Sequence, residues 1–362
     1  MSEQESPSKD SIKPSILRVK RIRVSTALIG FCLIALLLVA GITGIVSVWP
    51  DSMAGVAFRR VVPFPIVIVD GSIVWYRDLD ESRRALRHYY ESQSESLAEN
   101  GLRVDFDTPD GKKRLLVREK DILNKLTENR AIRLLAERRD IHFSNADAEK
   151  GIQDAIEQSG GSREVFAGHL KDLYGWDIDH FRDGVVLPSL YRNALETTFN
   201  NERDVSSAKS AIQKASDAIS QGESFEDVAR QYSDGNSKER GGDLGWVRLD
   251  TLVPELAEAA RNQSIGVSGP IIESEIGYHI AFVIDRKTED GKELARIRQV
   301  FSRKPSFPEW LFDEKRKLSV HILPRRYVWN FETALVEFRD STLRDFETEA
   351  LKKTDGDPSL IF

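Results

Sequence analysis

The chain has 362 residues, of which 40% are hydrophobic and 30% charged, so it has enough apolar material for two or three folded domains. The formal net charge of −6 disfavours a general nucleic-acid-binding protein. The single cysteine, Cys32, excludes an intramolecular disulfide and a cysteine-rich zinc module, and the 6 histidines include no pair four residues apart. We therefore expect a protein that uses no metal and no cofactor and does not bind nucleic acid.

Residues 24–49 carry no charged side chain. A helix needs about 20 apolar residues to cross a bilayer, and this run is longer, so we predict a transmembrane anchor. A cleavable signal peptide is the alternative, but its apolar region is usually only about 7–15 residues long. Residues 1–23 have six basic and three acidic side chains, which predicts a cytoplasmic tail and an extracytoplasmic location for the rest of the chain.

The first elements after the anchor are a hairpin and a series of helices. Two β-branched runs flank Asp70-Gly71, a dipeptide typical of a tight hairpin turn. Helical periodicity then begins near Asp80 and returns over 112–139. Ser144, Ser162 and Asp177 are placed as N-caps of three further helices, the last of which Pro188 should kink or restart. Residues 62–203 are thus predicted to form a hairpin plus a helical domain.

The pattern changes after this helical region. A helix over about 204–221 precedes a short helix capped by Ser224, a glycine-dense turn, another short helix, and a strand–turn–strand over 267–286. A further strand follows at 294–302. The last part, 305–362, is predicted as a strand–helix extension with its helix near 331–352, which either docks back on the helical domain or binds a partner. The expected fold class is α+β.

Three sequence words in this second region carry functional information. They are GESFEDVARQYSDGNSKERGGDLGW, LVPELAEAA and SGPIIESEIGYHIAFVIDR. In this order and spacing, residues 221–286 resemble the parvulin family of peptidyl-prolyl cis/trans isomerases. The hairpin and helices before them resemble the chaperone half of SurA- and PrsA-type foldases. The resemblance implies a parvulin-like domain over 204–304, with an antiparallel sheet and helices, that acts on unfolded or exported polypeptides containing X-Pro bonds.

The resemblance also implies a set of site residues. His279 stands where the family has the histidine of its last strand, and Ser274 where it has a hydroxyl beside that histidine. Leu252 and Leu256 stand where two residues hold the proline ring. Isomerisation needs no nucleophile, because such a site only has to favour the twisted amide over the planar one, against a barrier of about 18–20 kcal/mol.

The match departs from the family pattern in two places. Gly235 stands where the family has a Cys or Asp, so that side chain is missing. The first strand, which should carry a second histidine before residue 204, is also missing, and the strand 294–302 is the candidate replacement, with Gln299 at the histidine position. A hairpin through 289–292 would place Gln299 opposite His279. We therefore hypothesise a circularly permuted parvulin domain in which His279, Gln299 and Ser274 are catalytic.

Simpler interpretations remain open for each of these residues. His279 is also typical of a core histidine with satisfied hydrogen bonds, and Leu252 and Leu256, four residues apart, of one buried helix face. Glycines of the 241–245 turn more often serve the backbone than a ligand. The sequence therefore allows three functions: a membrane-anchored isomerase and foldase, a non-catalytic chaperone or assembly scaffold with a degenerate parvulin domain, and an interaction protein.

Overall fold

The computed structural model describes residues 63–93 and 106–353. The predicted tail and anchor, 1–23 and 24–49, lie outside the described residues. Within the described ranges, no helix is both long enough and apolar enough to cross a membrane.

The N-terminal part of the described chain is a hairpin followed by helices. The hairpin turn has positive φ angles at both Asp70 (44°) and Gly71 (83°), as the sequence predicted. A π-helical segment at Arg182–Val186 ends where Leu187 begins a new helix, with Pro188 in its first turn, so the predicted restart at this proline is present. The elements are β1 (Pro65–Val69), β2 (Ser72–Trp75), α1 (Tyr76–Ser92), α2 (Pro109–Glu137), α3 (Asn145–Ser159), α4 (Arg163–Tyr174), α5 (Ile178–Phe181) and α6 (Leu187–Glu202).

The next part forms its own sheet and core. Its sheet has the strand order β3-β6-β5-β4, with every neighbouring pair antiparallel. One face packs against α7 and α8, and the other packs against α9. The elements are α7 (Ser206–Ser220), α8 (Phe225–Tyr232), β3 (Asp243–Arg248), α9 (Pro254–Asn262), β4 (Ser268–Glu273), β5 (Gly277–Glu289) and β6 (Lys292–Arg303).

The C-terminal segment completes the core of the N-terminal part. Its elements are α10 (Phe307–Lys317), β7 (Val320–Ile322), β8 (Tyr327–Asn330), β9 (Leu335–Phe338) and α11 (Ser341–Lys353). Strand β7 pairs antiparallel with β1, and the buried Tyr327 hydroxyl donates to Glu119 of α2 at 2.9 Å. Of the two possibilities left open for this segment, the structure shows docking back on the helical domain. The helix predicted near 331–352 starts only at Ser341, because a β8–β9 hairpin occupies the residues before it.

Candidate functional site

The site is built on one face of the four-stranded sheet. Strand alternation directs His279 to the face that α9 covers, together with Ala281 and Val283, whereas Tyr278 and Ile280 point to the opposite core. The His279 side chain is only 1% exposed. A ring this deeply buried must have its nitrogens satisfied by protein groups.

Both ring nitrogens of His279 have such partners. Nε2 lies 2.7 Å from the hydroxyl oxygen of Ser274, and Nδ1 lies 3.1 Å from the amide nitrogen of Gln299. With that amide nitrogen donating to Nδ1, the proton of the neutral ring is on Nε2 and is donated to Ser274 Oγ. The Ser274 hydroxyl then donates to the carbonyl oxygen of Gly277, at 3.1 Å. The four groups form one continuous hydrogen-bonded chain.

Burial determines the charge of this site. Removal from water disfavours the imidazolium form and lowers the pKa of His279 to about 4; the carboxylate of Glu255 opposes the shift and the ammonium of Lys304 adds to it. The ring is therefore neutral at pH 7. It can polarise or orient an amide through hydrogen bonds, but it has no positive charge to offer at that pH.

Strand β6 supplies the partner side chains. In the β5–β6 register Gln299 lies opposite Ala281 and Phe301 lies opposite His279, so both β6 side chains share the face of the histidine. The Phe301 ring stacks on the imidazole with centroids 4.9 Å apart. Gln299 and Phe301 are both half-buried. The hairpin predicted through 289–292 is present, with Glu289 paired to Lys292, and it brings Gln299 to His279 as hypothesised.

The two leucines predicted to hold a proline ring have different environments. Leu256, on α9, is 2% exposed and packs in the core with Ala281, Val283 and Ile297. Leu252 precedes α9 and is half-buried at the margin of the same core. Only Leu252 keeps appreciable exposed surface that a substrate could contact.

The position that lacks a side chain has room for one. A Cβ at Gly235 would lie 3.4 Å from Ser233 Oγ and 3.7 Å from Phe301 Cβ, both ordinary contacts. The loop around it is held along β6, because the Asp234 amide donates to the Phe301 carbonyl and the Gln299 amide donates to the Gly242 carbonyl. A side chain at position 235 would therefore fit beside Phe301, and packing does not require glycine there.

Three residues of the site were not predicted from the sequence. Phe301 follows Gln299 by two positions, and strand alternation alone would have placed it on the same face. Lys304 donates to the Ser274 carbonyl and Arg203 to the Glu275 carbonyl, both from distant parts of the chain, and no local pattern marks either residue. Within residues 63–93 and 106–353, no group of three or more His, Cys, Asp or Glu side chains is arranged to hold a metal ion.

An antiparallel sheet covered by helices on both faces, with a buried histidine beside a serine, is the arrangement that the parvulin resemblance implies. Residues 194–285 match the family model described as Rotamase, the PPIC-type PPIase domain. The chain therefore carries a parvulin-type domain. The matched residues end before β6 begins.

Curated relatives are similar over the same region. The chain is 32% identical over 110 residues to "Chaperone SurA" of Chromobacterium violaceum, covering 29% of this chain and 26% of that protein. It is 30% identical over 147 residues to that of Pseudomonas putida (40% and 30% covered), and 41% over 95 residues to that of Bordetella pertussis (24% and 18%). The chain thus spans about a quarter of the length of the first of these relatives.

Two solved structures are also similar. One is the peptidylprolyl isomerase PrsA from Bacillus anthracis, with 21% identity and a TM-score of 0.18, covering 62% of this chain and 94% of that one. The other belongs to a study of PEB4 and Cj1289, two SurA-like chaperones of Campylobacter jejuni, with 10% identity and a TM-score of 0.23, covering 81% and 96%.

Proposed function

We propose that this protein is a membrane-anchored, extracytoplasmic folding helper whose parvulin-type domain isomerises X-Pro bonds in exported polypeptides. The observation that carries the proposal is the hydrogen-bonded chain of Gln299, His279 and Ser274 on the sheet face beneath α9. The predicted anchor over 24–49 and the positive tail before it support the location.

The chemistry asked of this site is modest. Rotation about an X-Pro bond needs no covalent intermediate, only a site that stabilises the twisted amide better than the planar one. Leu252 and Phe301 offer apolar surface for a proline ring, and the half-buried Gln299 amide offers polar groups beside it. The neutral His279 holds that amide in place, so activity that depends on it needs no titratable group between pH 6 and 8.

The domain is best interpreted as a circularly permuted parvulin. The resemblance places the family's first strand before the helix at 204–221. Here β6 takes that place beside β5, and it follows β5 through a two-residue turn. The family match covers residues 194–285, so β6 lies outside the matched residues. Gln299 on β6 then occupies the position of the family's other histidine.

The test uses the full-length chain in mild detergent and a short peptide with one X-Pro bond. We expect the cis-to-trans relaxation rate to rise linearly with protein concentration, and His279→Ala to remove most of the acceleration. His321 is exposed and provides the matched control: His321→Ala should accelerate the relaxation as much as the wild-type protein does. Gln299→His, which restores the second histidine, should accelerate the reaction further. If the wild-type protein leaves the rate unchanged, the isomerase proposal is wrong.

A second candidate is a chaperone or assembly scaffold that binds unfolded polypeptides without catalysis. Two observations favour it: both nitrogens of His279 are already bonded within the protein, and Leu256 lies in the core. This candidate predicts that the protein and its His279→Ala variant suppress aggregation of an unfolded client equally, with no effect on X-Pro relaxation.

A further inference from the structure

The short turn between β4 and β5, residues 274–276, positions the Ser274 hydroxyl. All three of its carbonyl oxygens accept hydrogen bonds from outside the turn. The Ser274 carbonyl accepts from Lys304 Nζ at 2.7 Å, the Glu275 carbonyl from Arg203 Nη2 at 2.8 Å, and the Ile276 carbonyl from the Lys304 backbone amide at 3.1 Å. The turn is therefore fixed by two residues that lie far apart in the sequence.

Both of these residues lie where the chain passes between the helical domain, which contains α1 to α6, and the sheet domain, which contains β3 to β6 with α7, α8 and α9. Arg203 directly follows α6, before α7 begins at Ser206, and Lys304 follows β6, before α10 begins at Phe307. Arg203 also joins the segment between α6 and α7 to the segment between β6 and α10, because its Nη1 donates to the Pro305 carbonyl at 2.8 Å.

Lys304 has the environment of a structural cation. Its side chain is 7% exposed, and its ammonium group also donates to Glu273 Oε1 at 2.7 Å and lies 4.8 Å from the centre of the Tyr278 ring. A buried ammonium that donates to two acceptors holds both in a fixed geometry, since leaving it unpaired is costly.

We propose that Lys304 and Arg203 are positioning residues for the Ser274–His279 pair, and that through them the pair responds to the relative placement of the two domains. A shift of α6 or α10 would move Arg203 or Lys304, and with them the turn that holds Ser274 Oγ 2.7 Å from His279 Nε2. The catalytic consequence rests on the proposed isomerase function, whereas the effect on the His279 ring does not.

The test uses NMR of the full-length chain with its histidines labelled with nitrogen-15. Two-bond correlations between the ring nitrogens and ring protons report the tautomer of each ring. His279→Gln assigns the His279 signals among the 6 histidines. Wild-type protein should show one neutral tautomer with the proton on Nε2. Lys304→Met keeps the aliphatic stem on Tyr278 but removes the ammonium group, and we expect it to give a mixture of tautomers. The kcat for an X-Pro peptide should fall about tenfold, the equivalent of one lost hydrogen bond, with KM nearly unchanged.

Epistasis separates positioning from a general structural role. In a Ser274→Ala background, Lys304→Met should change neither the ring spectrum nor kcat further, because Lys304 acts through Ser274. Arg303→Met is the matched control: it removes a neighbouring exposed cation whose side chain bonds Glu309 rather than the turn, and it should behave as wild type. Arg203→Met, which removes the donors to the carbonyls of Glu275 and Pro305, serves as the second variant if Lys304→Met does not fold.

An unchanged ring spectrum in folded Lys304→Met, or in Arg203→Met where it is the variant that folds, overturns the proposal. Equal losses of kcat with and without the Ser274 hydroxyl also overturn it. If the wild-type protein has no isomerase activity, the proposed function fails, but the ring spectra still decide whether Lys304 and Arg203 position the pair.

Discussion

The buried His279 should make the stability of the sheet domain depend on pH in a predictable direction. Its pKa is about 4 in the folded protein against 6.5 for an unperturbed histidine, because burial disfavours the charged ring. The unfolded chain therefore binds a proton at a pH where the folded chain does not. Stability is then greatest above pH 6.5 and falls as the pH drops from 6.5 towards 4.

The size of the effect follows from the two pKa values. Each unit of difference corresponds to about 1.4 kcal/mol, so protonation of the unfolded state should cost the native state on the order of 3 kcal/mol by pH 4. This is a large part of the roughly 5–15 kcal/mol that stabilises a typical domain. Carboxylates titrate over part of the same range, so the histidine must be isolated by comparison with a variant.

The free energy of unfolding is measured by urea unfolding at intervals of half a pH unit between pH 7.5 and 4. The fluorescence of Trp246 monitors the unfolding. Trp246 is the one tryptophan between residues 204 and 304. His279→Gln should lower the stability at pH 7 but lose about 3 kcal/mol less than wild type on acidification, whereas the exposed-site control His321→Gln should follow wild type. Parallel curves for wild type and His279→Gln, or a ring titration with its midpoint near 6.5, would contradict the lowered pKa of His279.

Two further predictions concern backbone geometry and a buried polar pair. Gly242 has a φ of +79°, and a Cβ there would lie 2.5 Å from the Gln299 carbonyl oxygen. Gly242→Ala should therefore lower the free energy of unfolding of the sheet domain by more than ~1 kcal/mol in urea unfolding. Gly291→Ala, at a φ of +74° with open space around it, should lower that free energy by less. Tyr327→Phe removes the hydroxyl that donates to the buried Glu119, and it should lower the free energy of unfolding by about 1–3 kcal/mol in thermal melts, with an unchanged melting temperature contradicting the role of that bond.

Local features were predicted well from the sequence because short-range chemistry determines them. The Asp70-Gly71 turn requires positive φ angles that few other dipeptides tolerate, and Ser144 and Ser224 accept hydrogen bonds from the amides three residues later, as N-caps do. The hairpin that brings Gln299 to His279 was also predictable, since two alternating strands joined by a charged turn pair with their nearest neighbour.

Long-range pairings were not predictable in the same way. Strand β7 pairs with β1 across some 250 residues of chain, and a run of three residues, Val320–Ile322, carries no signal of its partner. The contact of Lys304 with the Ser274 turn likewise depends on where the ends of the sheet domain meet. For Leu256, four-residue spacing from Leu252 fitted both a proline slot and a core face, and only the packing of α9 against β5 distinguishes the two.

The position of the sheet domain within the chain explains why its site is joined to the helical domain. The chain leaves the helical domain at Arg203 and returns at Pro305, and a hydrogen bond joins these two residues, so the ends of the inserted segment are adjacent. Phe199 of α6 and Phe307 of α10 pack in one core with ring centroids 6.0 Å apart, so the helices on either side of the insertion remain in contact. The strand that carries Gln299, β6, runs directly into this junction, and Lys304, the residue that follows it, reaches the turn beside His279. In a domain whose first strand came before α7, this connection would start elsewhere in the sheet. The direct connection from β6 into α10 is therefore the physical basis of the coupling that we propose between the candidate site and the packing of α6 and α10.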